Sequence, residues 1–219
     1  MIQNKMPDSC PYTIGITGIT GSGTSTVAQI LADAGGLVIH ADKLVHQLMQ
    51  KPMRPSLFGE AIFDTVYEDI VKLFGNEILA DNGEINRKSL GEVVFNHPEK
   101  LKMLESIIHP SVIAKIKSLL IASIEAKYPF AVVDAPLLIE SGLNTICDEI
   151  WVIISTYEIR MARIMKRDNI SPSDAQRRLK NRKGDVFLTA HADVVIENNG
   201  DLITLTTAVR QRLSQCLYH

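Results

Sequence analysis

Two spacings of apolar residues alternate along the chain. Tyr12 to Thr17 (YTIGIT), Leu37 to His40, Phe130 to Asp134 (FAVVD), Glu149 to Ile154 (EIWVII) and Asp193 to Ile196 are short, β-branched and nearly continuous in apolar character. Such runs predict buried strands. The segments between them repeat at helical spacing. Ser25 to Ala34 places Val27, Ile30 and Leu31 on one face, and a helix beginning near Asp42 carries Leu44, Val45 and Leu48. Further helices are predicted over Ser56–Phe74, Lys88–Phe95, Glu99–Ile108, Ser111–Ala126, Glu158–Asp168, Ser171–Asn181 and Leu202–Leu217. Gly35-Gly36 reads as a helix stop, Ser171-Pro172 as a helix start, and Pro52, Pro55, Pro98 and Pro110 as breaks. Asp81-Asn82-Gly83 and Asn198-Asn199-Gly200 read as turns. Strands alternating with helices predict an α/β fold with a parallel sheet covered on both faces. The helices between Pro55 and Ala126 have no strand among them, which predicts an inserted helical lobe. Trp151, the single tryptophan, falls within a strand and is expected in the core.

Composition narrows the class. The chain has 219 residues, 46% hydrophobic and 22% charged, as expected of one globular domain with room for an insertion. Lys and Arg number 23 against 25 Asp and Glu, a formal charge of −2, which argues against a general polyanion binder. No aromatic platform interleaves the basic cluster, so nucleic acid is not an expected partner. Cys10, Cys147 and Cys216 are scattered and form no CxxC pair, which points away from a disulfide framework or a zinc site. The first eleven residues lack the apolar core of a signal peptide. No segment is expected to be long and apolar enough to span a bilayer; the best runs, Ser118 to Ile124 and Ala131 to Ile139, are of core-strand or core-helix size. The expectation is a cytoplasmic protein without membrane contact, monomeric or weakly homo-oligomeric. The histidines show no metal-ligand spacing and no HExxH, and there is neither a G-x-S-x-G elbow nor a G-x-G-x-x-G fingerprint.

The chemistry concentrates after the first strand. Gly18-Ile-Thr-Gly21-Ser22-Gly23-Thr24-Ser25-Thr26 has every element of the P-loop pattern G-x-x-x-x-G-K-[ST] except the lysine, whose place Thr24 takes. Glycines there let backbone N–H groups turn inward around phosphate oxygens, and the following helix adds its positive end. Ser25 is placed for Mg²⁺ and Thr26 for a phosphate. The bland alternative is a tight strand-to-helix turn. Asp42 reads either as a helix N-cap or as a carboxylate that orients an attacking hydroxyl. Asp134 ends the FAVVD strand as a Walker-B aspartate does, reaching Mg²⁺ directly or through water. The P-loop, Asp42 and Asp134 all lie at carboxyl ends of strands, where open α/β sheets bind ligands. Arg163 and Arg167, four residues apart, share a helix face. Arg177, Arg178, Lys180, Arg182 and Lys183 follow, as a solvated face or a basic flap over phosphates.

Together these residues resemble the bacterial-type dephospho-CoA kinases from about Tyr12 to Leu217. The matching segments are TGITGSGTSTVA (Thr17–Ala28), VIHAD (Val38–Asp42), NRKSLGEVVFNHPEKLKMLESIIHP (Asn86–Pro110), VVDAPLLIESGL (Val132–Leu143), RMARIMKRD (Arg160–Asp168) and ADVVIENNG (Ala192–Gly200). The resemblance implies a P-loop kinase, three-layer α/β/α, with a mostly parallel five-stranded sheet. Its core would span about 12–54 and 128–217, its helical substrate lobe about 55–127 and its lid about 170–191. The implied reaction transfers the γ-phosphate of ATP, with Mg²⁺, to the ribose 3′-hydroxyl of dephospho-CoA. That is the last step of coenzyme A biosynthesis. Asp42 would be base or orienter, and Arg163 and Arg167 would neutralise the transferring phosphate. Gly18, Gly21, Ser22, Gly23, Thr24, Ser25 and Thr26 would hold the ATP phosphates. Asn198 and Asn199 would lie near adenine, and Arg87, His109, Pro136 and Leu137 on the acceptor side.

The chain departs from the family pattern at several places. Thr24 replaces the lysine, His40 stands where the first carboxylate of a D-A-D-like motif is common, His46 where Arg is common, and Arg182 near a favoured Gln. A hydrogen bond to a charged group contributes about 1.5–3 kcal/mol. Losing one made mainly in the transition state slows transfer roughly ten- to a few-hundred-fold. Lys43, Arg182 and Lys183 are candidates to supply the missing cation. Two alternatives follow from the same departures: a pseudokinase that keeps the pocket without the chemistry, and a P-loop kinase for another small acceptor.

Overall fold

The structure, a computed structural model, describes residues 11–52, 61–95, 97–180 and 184–217. Its elements run β1 (Tyr12–Gly18), α1 (Thr24–Asp33), β2 (Leu37–His40), α2 (Ala41–Leu48), α3 (Ala61–Phe74), α4 (Arg87–Phe95), α5 (Pro98–Glu125), β3 (Phe130–Asp134), β4 (Glu149–Ile154), α6 (Tyr157–Asp168), α7 (Pro172–Lys180), α8 (Asp185–Thr189), β5 (Val194–Glu197) and α9 (Leu202–Leu217). They divide into two compact units, Met1–His40 with Leu120–His219, and Ala41–Leu119.

The first unit holds a five-stranded sheet in the order β2-β3-β1-β4-β5, and every pairing is parallel. The three central strands β1, β3 and β4 are buried on both faces, which explains their unbroken apolar runs; the edge strands β2 and β5 are partly exposed. On one face Ile14, Ile16, Phe130, Val132, Trp151 and Ile153 pack against Val27, Leu31, Val209 and Leu213 of α1 and α9. On the other, Gly15 leaves room for Leu138 and Cys147, and α8 lies against β1 and β4. The result is a three-layer α/β/α arrangement. Trp151 is fully buried and its Nε1 donates to Glu149 Oε2 at 2.7 Å. Arg212 of α9 pairs with the same buried carboxylate, fastening the last helix to the sheet. Helix α1 closes as the glycines predict: Gly35, at φ 94°, donates to Ala32 O, and Gly36 donates to Leu31 O at 3.1 Å.

The second unit is helical, with α3 and α4 joined through a turn at Asp81–Gly83 that an isolated antiparallel bridge, Leu79 to Ile85, closes. Tyr67 donates its hydroxyl to Gly83 O, and Asn86 Oδ1 caps α4 by accepting from Lys88 N and Ser89 N.

Four expectations are corrected. The helices predicted over Glu99–Ile108 and Ser111–Ala126 are one helix of 28 residues running through Pro110. The buried stripe Leu104, Ile108, Val112, Ile116, Leu120 continues across the proline at every fourth residue, so packing outweighs the lost hydrogen bond. Consequently the chain does contain a helix long and apolar enough to cross a membrane, with a best 18-residue window of mean hydropathy 1.5, of which 28% is buried. Asp42 is not an N-cap: α2 starts at Ala41, so Asp42 lies within the first turn, where its charge suits the helix dipole. Finally, α8 occupies a stretch where no helix is legible. Cys10, Arg182, Lys183 and the start of the Ser56–Phe74 prediction lie outside the described residues.

Candidate active site

The loop between β1 and α1 is shaped by what a side chain would collide with. A Cβ on Gly18 would sit 2.5 Å from the carbonyl oxygen of Ile153 on the neighbouring strand and 3.1 Å from Thr24 Cγ2. Gly23 has φ 101° and caps α1 without a side chain, and a Cβ there would run into the amide of Asn198. Both positions therefore require glycine. No acidic residue occupies the first turn of α1 and no side chain caps it. Ser25 and Thr26 are exposed there. A helix start left open in this way favours an anion.

The loop is held from behind by three residues of distant segments. Arg163 Nη1 donates to Gly21 O (3.4 Å), Ser22 O (3.3 Å) and Ser155 Oγ (3.0 Å), and its Nη2 donates to Asn198 Oδ1 (3.2 Å). Asn198 Nδ2 donates to Ser22 O at 2.8 Å, and Ser155 Oγ lies 2.7 Å from Asn198 O. Charge-assisted bonds of this kind are roughly twice as strong as neutral ones. The carbonyls of Gly21 and Ser22 are thus turned into the protein, as a loop must turn them if its amides are to face an anion.

In this geometry several of the expected residues already have partners. Ser22 is fully buried, its hydroxyl has no partner among the described residues, and its N–H donates to Ile19 O at 2.9 Å. Its N–H is thus spent within the loop, and its hydroxyl is buried. Arg163 and Asn198 likewise spend their polar groups on the loop. Asn199 Oδ1 accepts from Thr156 N at 2.9 Å, just before α6. Arg167 forms a two-pronged pair with Asp168 through Nε (2.7 Å) and Nη2 (2.9 Å), and Arg178 of α7 joins the same carboxylate. The Arg167 hydrogen bonds hold the Asp168 carboxyl below the usual carboxylate range, and the same bonds raise Arg167.

Asp134 ends β3, in register with Ile16 of β1 on one side and His40 of β2 on the other. Its Oδ2 lies 2.9 Å from His40 Nδ1. Pro136 O accepts from Thr17 Oγ1 at 3.3 Å, and Leu137 is exposed in the turn that follows. In the helical unit, Asp42 stands exposed on α2, Arg87 is the first residue of α4, and His109 is half-buried on α5 before Pro110. The first unit thus gathers the P-loop, Ser25, Asp134, Arg163, Asn198, Asn199, Pro136 and Leu137, while Asp42, Arg87 and His109 belong to the second.

Among the described residues no three His, Cys, Asp or Glu side chains converge as a metal site. A hydroxyl and a carboxylate, Ser25 and Asp134, are the hard oxygen donors present. That set fits Mg²⁺, which is usually held by one or two carboxylates together with substrate phosphates and waters.

The dephospho-CoA kinase family profile matches residues 12–204. The chain belongs to the dephospho-CoA kinase family. A dephospho-CoA kinase of Fusobacterium nucleatum is 40% identical over 198 residues, covering 90% of this chain and 95% of that protein. One of Staphylococcus aureus is 35% identical over 205 residues, covering 94% and 93%. Among solved structures, a Thermus thermophilus protein is 28% identical with a TM-score of 0.74, covering 94% of this chain and 98% of that one. The dephospho-CoA kinase of Campylobacter jejuni is 27% identical with a TM-score of 0.65, covering 94% and 97%. A shikimate kinase of Acinetobacter baumannii, 14% identical with a TM-score of 0.50, shares the fold.

Two residues that matter to the family's loop in this chain were not singled out from sequence. Ser155 and Arg160 point to it only in retrospect: Arg160, Arg163 and Arg167 lie at helical spacing on one face of α6. Arg160 is buried and donates from Nη1 to both oxygens of Asp185 at 3.0 Å, tying α8 to α6.

Proposed function

We propose that the chain transfers the γ-phosphate of ATP to the ribose 3′-hydroxyl of dephospho-CoA, the last step of coenzyme A biosynthesis. The observation that carries this reading is the open N-terminus of α1 behind an all-glycine-permitted loop, within a chain matched to the family over residues 12–204. Phosphoryl transfer asks for in-line positioning and charge neutralisation rather than covalent chemistry. The loop from Gly21 to Thr26 receives the nucleotide phosphates, through its amides other than those of Ser22 and Thr26, which donate to Ile19 O and Gly23 O. Arg163 acts by holding that loop, and Asn198 with it. Ser25 and Asp134 hold Mg²⁺, which when bound would offset charge on the phosphate oxygens. Asp42 orients the attacking hydroxyl and accepts its proton. Arg87, His109, Pro136 and Leu137 serve the acceptor. Arg167 exchanges Asp168 for phosphate. The enzyme works in the cytoplasm.

Thr24 leaves the phosphates without the usual lysine. Of the cations considered as replacements, Lys43 lies in the first turn of α2 and is exposed. The decisive experiment measures ADP release with Mg²⁺-ATP, with and without dephospho-CoA, for the wild type and Thr24→Lys. Acceptor-dependent release by the wild type is expected. A rise of ten- to a few-hundred-fold in Thr24→Lys would mean that no other cation compensates. Absence of any response to dephospho-CoA in both proteins overturns the assignment.

A further inference from the structure

Helix α5 carries apolar residues beyond the stripe it buries. Ile121 is 53% exposed and Ile124 37% exposed. Tyr128 joins them. Lys127, at φ 56°, turns the chain back over the last turn, so that its N–H donates to Ile124 O (3.0 Å) and that of Tyr128 to Ser123 O (3.2 Å), and Tyr128 stays 40% exposed. Large apolar side chains grouped on an outer surface mark an interaction site. Lys117 and Glu125 stand one helical turn before and after Ile121. The residues three and four positions from each are uncharged, and neither forms an ion pair among the described residues. Eight residues of helix separate them by about 12 Å, too far to pair with each other.

We propose that this face of α5 is a self-association surface, on which a second copy of the chain docks antiparallel about Ile121. Two ridges cross at that residue, each at the three- and four-residue spacing of one helix face. The first is Ala114, Ser118, Ile121 and Glu125, and the second is Lys117, Ile121, Ile124 and Tyr128. A twofold axis at Ile121 lays the first ridge of each copy on the second ridge of the other, as an isologous interface requires. Ala114 then meets Tyr128, Ser118 meets Ile124, Glu125 meets Lys117, and Ile121 meets itself. Small side chains face large ones, and both unpaired charges find opposite partners, twice over by symmetry. A parallel alignment would instead set Lys117 against Lys117 and Glu125 against Glu125. All of these positions lie on one unbroken helix and its cap, downstream of Pro110. A contact confined to them is smaller than the ~20–30 residues a side of a standard interface, so the dimer is reversible, with a Kd of about 10–100 μM.

The test is sedimentation equilibrium of the full-length protein under reducing conditions, with thermal melts to show that each variant folds. The wild-type mass average is expected to rise with concentration from one chain towards two. Ile121→Asp is expected to abolish that rise, because it sets two carboxylates together on the axis. Lys117→Glu and Glu125→Lys are each expected to weaken association at least tenfold, since each places like charges opposite one another. The double variant Lys117→Glu/Glu125→Lys restores both pairs and is expected to return to within about threefold of wild type. That rescue fixes the antiparallel register, which a general loss of surface apolarity would not. A wild type that stays monomeric well above the expected Kd overturns the proposal. Association that Ile121→Asp leaves intact overturns it too, because the contact would then lie elsewhere. Failure of the double variant to recover overturns the register and the proposal with it. The same face could instead meet lipid. Co-sedimentation of a monomeric wild type with phosphatidylcholine vesicles, lost in Ile121→Asp, would replace the second copy by a membrane surface and likewise overturn the proposal.

Discussion

At Gly23, backbone and neighbour make the same demand. Its φ of 101° lies where L side chains are strained, and the space a Cβ needs is filled by Asn198. Gly23→Ala therefore adds about 1–3 kcal/mol of backbone strain and displaces the Asn198 bond to Ser22 O. Nucleotide affinity measured with a fluorescent ATP analogue should fall at least tenfold, more than Tm alone would suggest. Cys147 illustrates the opposite kind of residue. Burial pushes its thiol from 9.0 up to about 12, so it stays neutral and inert at ordinary pH. Iodoacetamide at pH 8 should leave it unmodified in the native protein and label it in urea. Because the folded value lies above the unfolded one, its stabilising contribution is complete below pH 9 and declines as pH rises towards 12. Denaturation midpoints across that interval should fall accordingly. The glycines were legible from sequence because their spacing carries the phosphate loop. The posture of Arg163 was not, because helical spacing gives a face and not a partner.

Among elements, strands read best and helix ends worst. The central apolar runs, β1, β3 and β4, are buried on both faces, while β2 and β5 at the edges are partly exposed and are still strands. Pro110 misled the reading of α5, since a local rule lost to a buried stripe that only the folded unit supplies. Helix α8 is five residues long and has no apolar period to announce it. What places it is Asp185 meeting the buried Arg160, a contact across 25 residues. Asp185→Asn leaves the Arg160 guanidinium buried beside a neutral amide and should cost about 2 kcal/mol. Urea unfolding with an unchanged m-value would register that loss. Proteolysis should at the same time speed up around residues 184–190, because α8 loses its fastening to α6.

For the whole molecule, the candidate residues sort by compact unit. The phosphate loop and Asp134 lie in one, and Asp42, Arg87 and His109 in the other. ADP should therefore act on the first alone. At a hundred times its Kd it contributes about 2.7 kcal/mol to the unit that binds it. Hydrogen exchange should slow by up to about a hundredfold in residues 18–33 and 194–199 and stay unchanged in 61–95. Similar slowing in both units would show that nucleotide alone engages the helical unit. The sequence places the helical lobe at about 55–127, whereas the second unit is Ala41–Leu119: α2 falls within it, and α5 begins in one unit and ends in the other.

The clamp behind the phosphate loop also sets a timetable. Gly21 and Ser22 emerge early from the ribosome, yet their carbonyls wait for Arg163, 142 and 141 residues later respectively, and for Asn198, 176 residues after Ser22. Contacts of such sequence separation form late, once loop closure has been compensated by packing. A nascent chain that has not yet released Asn198 has the motif but not the cradle. Nucleotide binding is therefore expected only once nearly all of the polypeptide has been made.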